Sequence, residues 1–200
     1  KTVNAGQTCV APDYVMVHES IKNELIKEMK RSINDFYGDD IKVSESLGRI
    51  INEKHFNRLL NILESDKESL LYGGEYDEEE KYIAPSIIEV KDWNSACMQE
   101  EIFGPILPIM SYRDLNQVIN DINKQPKPLA LYLFTSDKRV EKKVLNEISS
   151  GGVSINDTIL HLANSNLPFG GVGNSGMGAY HGEESFRTFS HRKSVLKKSR

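Results

Sequence analysis

A chain of 200 residues with 38% hydrophobic and 27% charged side chains has the balance of a soluble globular domain, large enough to bury roughly 70% of its unfolded surface. Its 25 basic and 29 acidic residues leave a net charge of −4, which does not favour a nucleic-acid partner, and no apolar run reaches the ~18 residues of a membrane span. Two cysteines 88 positions apart make no disulfide framework and suit a reducing, cytoplasmic compartment.

The chain opens Lys-Thr-Val, without methionine or a signal-like apolar segment, and reads as a domain of something longer. Residues 1–12 form an entry loop or short helix carrying Cys9. Residues 13–18 read as a strand of a buried parallel sheet. A helix follows, with Ser20 as its cap and Ile21, Leu25, Met29 and Ile33 repeating every four residues. Ile26 and Phe36 widen the stripe, and Gly38 ends it. A second helix over residues 53–64 turns Phe56, Leu59, Leu60 and Leu63 inward. A short strand at residues 70–72 is closed by Gly73-Gly74, and the acidic residues 77–80 form a solvated loop. Residues 82–90 favour β structure, and Pro85 predicts an edge strand or a bulge there.

Farther along, residues 106–112 read as a strand and residues 113–122 as a helix with Leu115, Val118, Ile119 and Ile122 inward. Pro126 and Pro128 bracket a loop before an apolar strand at residues 129–135. Ser136 or Asp137 caps a helix whose stripe is Val140, Val144, Leu145 and Ile148. Residues 151–156 form a strand ending on Asn156 and Asp157. A long glycine-rich connection spans residues 157–180, with a short helix near residues 183–189 and a last strand at residues 194–197. Alternating helices and apolar strands predict an α/β fold of three layers, α/β/α, around a mostly parallel sheet. No low-complexity linker divides the chain, which reads as one domain.

Three stretches carry chemistry. In Asn4-Ala5-Gly6-Gln7-Thr8-Cys9 the thiol lies among small and polar residues. A buried apolar cysteine is the plain alternative. Here, however, small neighbours let backbone N–H groups face a ligand, and Asn4 and Gln7 carry side-chain donors. Cys9 is the candidate nucleophile, needing a lowered pKa or a base to act. Cys97, beside Trp93 and Met98, reads as structural. In Glu100-Glu101-Ile102-Phe103-Gly104-Pro105 a carboxylate can accept both hydroxyls of a ribose and an aromatic face can pack on a sugar or nicotinamide; a solvated loop is the alternative. The third stretch, residues 168–178, holds five glycines in nine positions. Its Gly171-Val172-Gly173-Asn174-Ser175-Gly176 matches a dinucleotide pattern without the required strand and helix around it, and is rejected as such. Close approach to a substrate tunnel or another segment is its physical reading. His161 and His181 stand alone, no cluster has metal-ligand spacing, and the basic tail (Arg192, Lys193, Lys197, Lys198 and Arg200) is solvated.

Together these motifs resemble the NAD(P)-dependent aldehyde dehydrogenase superfamily, most nearly its class 3 or fatty-aldehyde branch. The cysteine motif with Tyr14-Val15, the Glu-x-Phe-Gly-Pro motif at Glu101 and Phe103, and residues 168–182 carry the resemblance, which extends through residues 185–191 and covers the whole chain. It implies the family's C-terminal catalytic domain and oxidation of an aldehyde to a carboxylic acid with NAD or NADP. A thiohemiacetal and then a thioester would form on Cys9. Glu101 would hold the nicotinamide ribose and Phe103 pack beside it, while Asn156, His161 and Phe169 would line the substrate channel. The family's general-base glutamate, its oxyanion asparagine and its cofactor domain precede the cysteine, and this chain starts eight residues before Cys9. The resemblance therefore implies that these parts and the dimerisation strand lie outside the 200 residues. The isolated chain is then expected to bind no cofactor and to be nearly inactive, whereas the complete protein would form a homodimer. Two other readings stay open: a cysteine-dependent thioesterase or hydrolase using His18, His161 or His181, and a non-catalytic α/β binding domain.

Overall fold

Side chains alternate between the two faces of a strand, and in the first half of this chain both faces are apolar. In the computed structural model, which describes residues 1–199, β1 (Val15–His18) leads through a 3₁₀ turn into α1 (Lys22–Tyr37). Next come α2 (Glu53–Ser65), β2 (Leu70–Tyr72), β3 (Tyr76–Asp77), β4 (Tyr82–Ile83), β5 (Ser86–Glu89), β6 (Ile106–Tyr112) and α3 (Leu115–Asn123). Four strands form one sheet in the order β1-β6-β5-β2. Met16, Ile88, Ile106 and Met110 face one way and pack with Phe56, Leu59, Ile62 and Leu63 of α2. Val15, Val17, Ile87 and Ile109 face the other way and pack with Leu25, Ile26, Met29 and Ile33 of α1. A sheet with two apolar faces needs a helix on each, which yields the expected α/β/α layering. Leu59, Ile88, Ile106 and Ile109 are completely buried, each contributing about 1.5–3 kcal/mol of hydrophobic stabilisation.

The sheet corrects the expectation in detail. The β1–β6 and β5–β6 pairs are parallel, but β2–β5 is antiparallel, and β3–β4 is a separate antiparallel pair. The sheet is therefore mixed. Pro85 marks neither an edge strand nor a bulge in its own strand. It falls between β4 and β5, and β5 is an inner strand flanked by β6 and β2. There its missing N–H removes no ladder bond, and the register shift lies across the sheet in β2, between Leu70 and Tyr72.

The α1 stripe is also corrected. Ile21 and Phe36 are exposed at 52% and 67%, and Tyr37 packs inward instead, donating its hydroxyl to Thr2 Oγ1 at 2.7 Å. Tyr37 lies four residues past Ile33 and so continues its face of the helix. Ser20 is not the cap: Ile21 occupies that position, and the Ser20 N–H donates to His18 Nδ1. Gly38 ends α1 as expected, at φ +79° with its N–H on the Asn34 carbonyl.

The chain divides into two compact units, Lys1–Val118 and Ile119–Arg200. The division falls inside α3, so no linker composition marks it. In the second unit β7 (Ala130–Leu133) and β8 (Gly152–Ile155) pair in parallel, joined through α4 (Lys138–Glu147). Asp137 caps α4 by accepting the Arg139 N–H at 2.8 Å. Val144 and Ile148 are buried, but Leu145 is 45% exposed and off the stripe. The long connection is not all loop: it holds α5 (Leu160–Ala163) and a 3₁₀ turn (Gly173–Ser175) before α6 (Gly182–Thr188). No strand forms over residues 194–197, where the side chains are exposed and no neighbouring strand offers a ladder. Arg200, counted above with the basic tail, lies outside the described residues.

These assignments separate a substitution in the core beside α1 from one on the predicted α1 stripe that proves exposed. Ile109→Ala, on the α1-facing side of the sheet, is expected to cost about 2–5 kcal/mol of unfolding free energy. Phe36→Ala is expected to stay within about 0.5 kcal/mol of wild type. Urea unfolding followed by circular dichroism measures both, and a large loss at Phe36 would mean that this ring widens the buried stripe after all.

Candidate active site

Cys9 is held at the surface by a turn whose neighbours are anchored. The Ala11 N–H closes the turn on the Thr8 carbonyl at 2.9 Å; Cys9 within it is exposed, and Val10 is 1% exposed. Ahead of it, Asn4, Ala5 and Gly6 take φ of +51°, +52° and +76° in succession. This left-handed turn is uncommon for non-glycine residues. It is sealed internally by Asn4 Nδ2 donating to the Gln7 carbonyl at 3.1 Å and Gln7 Nε2 donating to the Asn4 carbonyl at 3.1 Å. The side-chain donors expected to face a ligand are thus used to hold the loop.

The glycine in this turn carries the tertiary contact. A Cβ placed on Gly6 would lie 2.1 Å from the Gly104 carbonyl oxygen. Gly104 is tight on its other side, where an added Cβ would meet Leu59 Cδ2 at 2.5 Å. The cysteine loop and the Glu101–Phe103 loop therefore touch backbone to backbone. Asp13 reinforces the junction by accepting the Ile102 N–H on Oδ1 at 3.0 Å. From α2, Arg58 donates to Glu100 Oε1 and to the carbonyls of Glu101 and Ile102. With Ile102 fully buried between them, Glu101 and Phe103 are turned outward. Phe103 takes φ +47° and is 37% exposed, in a conformation costing roughly 1–3 kcal/mol that the surrounding bonds must hold in place.

The electrostatics of this junction are those of partly desolvated groups. Burial raises the Glu101 carboxyl above its ordinary value even though its side chain reaches solvent, and the nearby Asp13 charge adds to the rise. Lys1 and Arg58 oppose it. Burial likewise raises Asp13, against Lys1, the Ile102 N–H and Arg58. The Lys1 ammonium sits 3.9 Å from Asp13 with 7% of its side chain exposed, and burial lowers it to about 8.

The second unit places the other candidate residues. Asn156, at φ +57°, uses its side-chain amide to accept the Thr135 N–H at 2.9 Å and donate to the Thr135 carbonyl at 3.0 Å, extending the β7–β8 pairing by one rung. Phe169 is 8% exposed and sits among rings, stacked on His181 at 5.9 Å and edge-on to Tyr180 at 5.6 Å, with His161 at 6.2 Å. His161 Nδ1 lies 3.0 Å from Ser154 Oγ, and burial lowers its pKa, favouring the neutral ring. The glycines here serve self-packing: a Cβ on Gly170 would lie 2.1 Å from the Gly178 carbonyl, and one on Gly171 2.1 Å from that of Ser175. No group of three or more His, Cys, Asp or Glu side chains able to hold a metal occurs among the described residues.

The aldehyde dehydrogenase family model matches residues 1–195 of the chain. The chain belongs to the aldehyde dehydrogenase family. Within it, the similarity is to the class-3-like branch. The 4,4'-diaponeurosporen-aldehyde dehydrogenase of Staphylococcus aureus is 53% identical over 199 residues, covering 100% of this chain and 43% of the relative. The dimeric NADP-preferring aldehyde dehydrogenase of Mus musculus is also 53% identical over 199 residues, covering 100% and 44%. A substrate-bound structure of Staphylococcus aureus AldH superposes with a TM-score of 0.92 at 51% identity, covering 98% of this chain and 44% of that one. The chain thus spans less than half the length of these relatives.

Sequence reasoning picked out Cys9, Glu101 and Phe103 in this aldehyde dehydrogenase chain but missed Asp13 and Arg58, which join their loops. Arg58 lies between the inward Phe56 and Leu59 and has no local mark apart from its charge; only the fold brings it to residues 100–102. Cys97 is the contrasting thiol: it is 1% exposed, its N–H donates to Asp66 Oδ2 at 2.9 Å, and burial and Asp66 push the thiol far up. Iodoacetamide at pH 8–9 is therefore expected to label Cys9 and spare Cys97 in the folded chain, with both labelled in guanidinium. Peptide mass spectrometry reads the sites, and equal labelling of the two in the native protein would contradict this arrangement.

Proposed function

We propose that this chain is the cysteine-bearing catalytic domain of an NAD(P)-dependent aldehyde dehydrogenase that converts an aldehyde to its carboxylic acid. The observation supporting this most is the exposed Cys9 thiol on a loop seated, Gly6 on Gly104, against the loop that turns Glu101 and Phe103 outward. The reading also draws on the printed activities of the relatives, all of them aldehyde dehydrogenases.

On this reading the Cys9 sulfur adds to the aldehyde carbon as its thiol proton passes to a base. The charge developing on the carbonyl oxygen is met by the Cys9 backbone N–H and a second donor. The residues fit a nicotinamide dinucleotide: Glu101 presents a solvent-reaching carboxylate suited to ribose hydroxyls, and Phe103 an exposed aromatic face two residues away. When bound, the cofactor supplies the hydride acceptor. The acyl group left on Cys9 is a thioester, and water cleaves it to the acid and regenerates the thiol. Glu101 positions and does not take the proton. The general base, the second oxyanion donor and the dinucleotide domain come from outside these 200 residues, in keeping with the 43–44% of the relatives that the chain spans. Asn156, His161 and Phe169, all in the second unit, are the residues that the family resemblance assigns to the substrate channel. The complete protein acts in the cytoplasm as a homodimer using NAD or NADP, as the name of the dimeric NADP-preferring relative suggests. Among the described residues no helix is long and apolar enough to cross a membrane.

A thiol hydrolase would instead need an imidazole at Cys9, and the hydrogen bond of His18, in the same unit, joins its Nδ1 to the Ser20 hydroxyl at 2.8 Å.

Two measurements test the proposal together. In the complete protein, Cys9→Ala is expected to lower aldehyde-dependent NAD(P)H formation by at least about 10³-fold. The purified 200-residue chain is expected to turn over at least ~10²-fold more slowly than the complete protein, since loss of one oxyanion donor alone costs roughly 3 kcal/mol. Full activity in the Cys9→Ala protein would remove the nucleophile assignment, and full activity in the isolated chain would remove the assignment of missing parts.

A further inference from the structure

The turn ahead of Cys9 is one short 3₁₀ turn (Val3–Gly6) outside the sheets, yet a nucleophile must be placed to a fraction of an ångström. The turn is fixed on one face by Gly6 against Gly104. On another it is fixed by a single side-chain amide. Gln7 Nε2 donates to the Arg49 carbonyl at 3.0 Å, and the Ile51 N–H donates to Gln7 Oε1 at 3.0 Å. The same Nε2 also donates to the Asn4 carbonyl at 3.1 Å. One carboxamide thus acts as a short strand against residues 49–51, with donor and acceptor both used, while tying off the turn that leads to the thiol.

The receiving segment is itself fixed. Ile50 is 2% exposed, and its N–H donates to the Lys81 carbonyl at 3.0 Å. Arg49 donates to the carbonyls of Lys42 and Leu47 and to Glu80 Oε2, with its guanidinium 5.0 Å from the Tyr82 ring centroid. Lys42 in turn pairs with Asp77 and Glu80. The far side of the clasp is thus committed to two further segments.

We infer that Gln7 is the positioning residue of Cys9: its amide fixes the register of the cysteine loop against residues 49–51, and so the direction in which the thiol meets its electrophile. The inference rests on the reading of Cys9 as the nucleophile. It is specific to an amide. A carboxylate of the same length keeps the acceptor for the Ile51 N–H but turns an anion toward two carbonyl oxygens, those of Arg49 and Asn4. Protonation of that carboxylate returns a donor to the site. The charged groups around it are Arg49 and, behind it, Lys42, Asp77 and Glu80.

The test compares wild type, Gln7→Ala and Gln7→Glu in the complete protein. Gln7→Ala is expected to lower kcat on the order of 10²-fold while leaving the KM for the dinucleotide and the far-ultraviolet circular dichroism as in wild type. Gln7→Glu is expected to be impaired at pH 8 and to recover toward wild type as the pH falls, read as the ratio of the two proteins at each pH so that the titration of Cys9 cancels. Rates within twofold of wild type for both variants, or a Gln7→Glu ratio independent of pH, would overturn the inference. If Gln7→Ala does not fold, the Gln7→Glu ratio alone decides. Because the rate of Cys9 alkylation by iodoacetamide needs no dehydrogenase turnover, it separates this inference from the activity itself. A rate changed about tenfold in Gln7→Ala supports positioning even where no aldehyde is oxidised. An unchanged rate overturns positioning while leaving the dehydrogenase to its own assay.

Discussion

The arrangement of the first unit depends on two glycines in contact. Gly6 and Gly104 belong to loops almost a hundred residues apart, and the space between them is too small for one additional carbon on Gly6. Because the contact is backbone on backbone, it fixes the two loops more tightly than side chains with free rotation can. It also leaves the neighbouring side chains, Cys9 on one loop and Glu101 and Phe103 on the other, free to face outward. Leu59, completely buried on α2, closes the opposite side of Gly104, so the junction stands directly on the hydrophobic core that holds α2 to the sheet.

The charged groups around this junction do structural work at some electrostatic cost. Arg58 holds the Glu101 loop through two backbone carbonyls as well as Glu100, and Asp13 holds Ile102. In return Asp13 and Glu101 are both raised by desolvation and Lys1 is lowered. The left-handed backbone of Phe103 belongs to the same balance: its strain persists only because Ile102 before it and Gly104 after it are both locked. The two thiols show the same logic from opposite sides. Cys97 is buried beside the Asp66 carboxylate and chemically quiet, while Cys9 is held at the surface by a turn whose next residue is buried.

In the second unit the glycines solve a packing problem of a different kind. Residues 170–178 fold back on themselves so closely that Gly170 and Gly171 rest on the carbonyls of Gly178 and Ser175. A single bridge, Phe169 to Tyr180, closes the excursion. It leaves Phe169 under His181, Tyr180 and His161, where an aromatic cluster replaces regular secondary structure as the source of order.

Local pattern by itself determined much of this protein. An apolar run placed β6, helical apolar repeats placed α2 and most of α1, Gly38 ended α1, and Asp137 capped α4, because these features arise from a residue and its near neighbours. The cysteine and Glu-x-Phe-Gly-Pro motifs singled out Cys9, Glu101 and Phe103 as candidates, and all three side chains are exposed. Only the tertiary structure decided what depends on distant partners. It turned β2 antiparallel, set β5 inside the sheet behind Pro85, and exchanged Phe36 for Tyr37 at the end of α1. It also spent the amides of Asn4, Gln7 and Asn156 on backbone rather than on a ligand, and brought Arg58 and Asp13 to the loop beside Cys9. The reason is physical: a hydrogen bond or a steric contact between residues tens of positions apart leaves no periodic mark on either one, and exists only once the chain between them has folded.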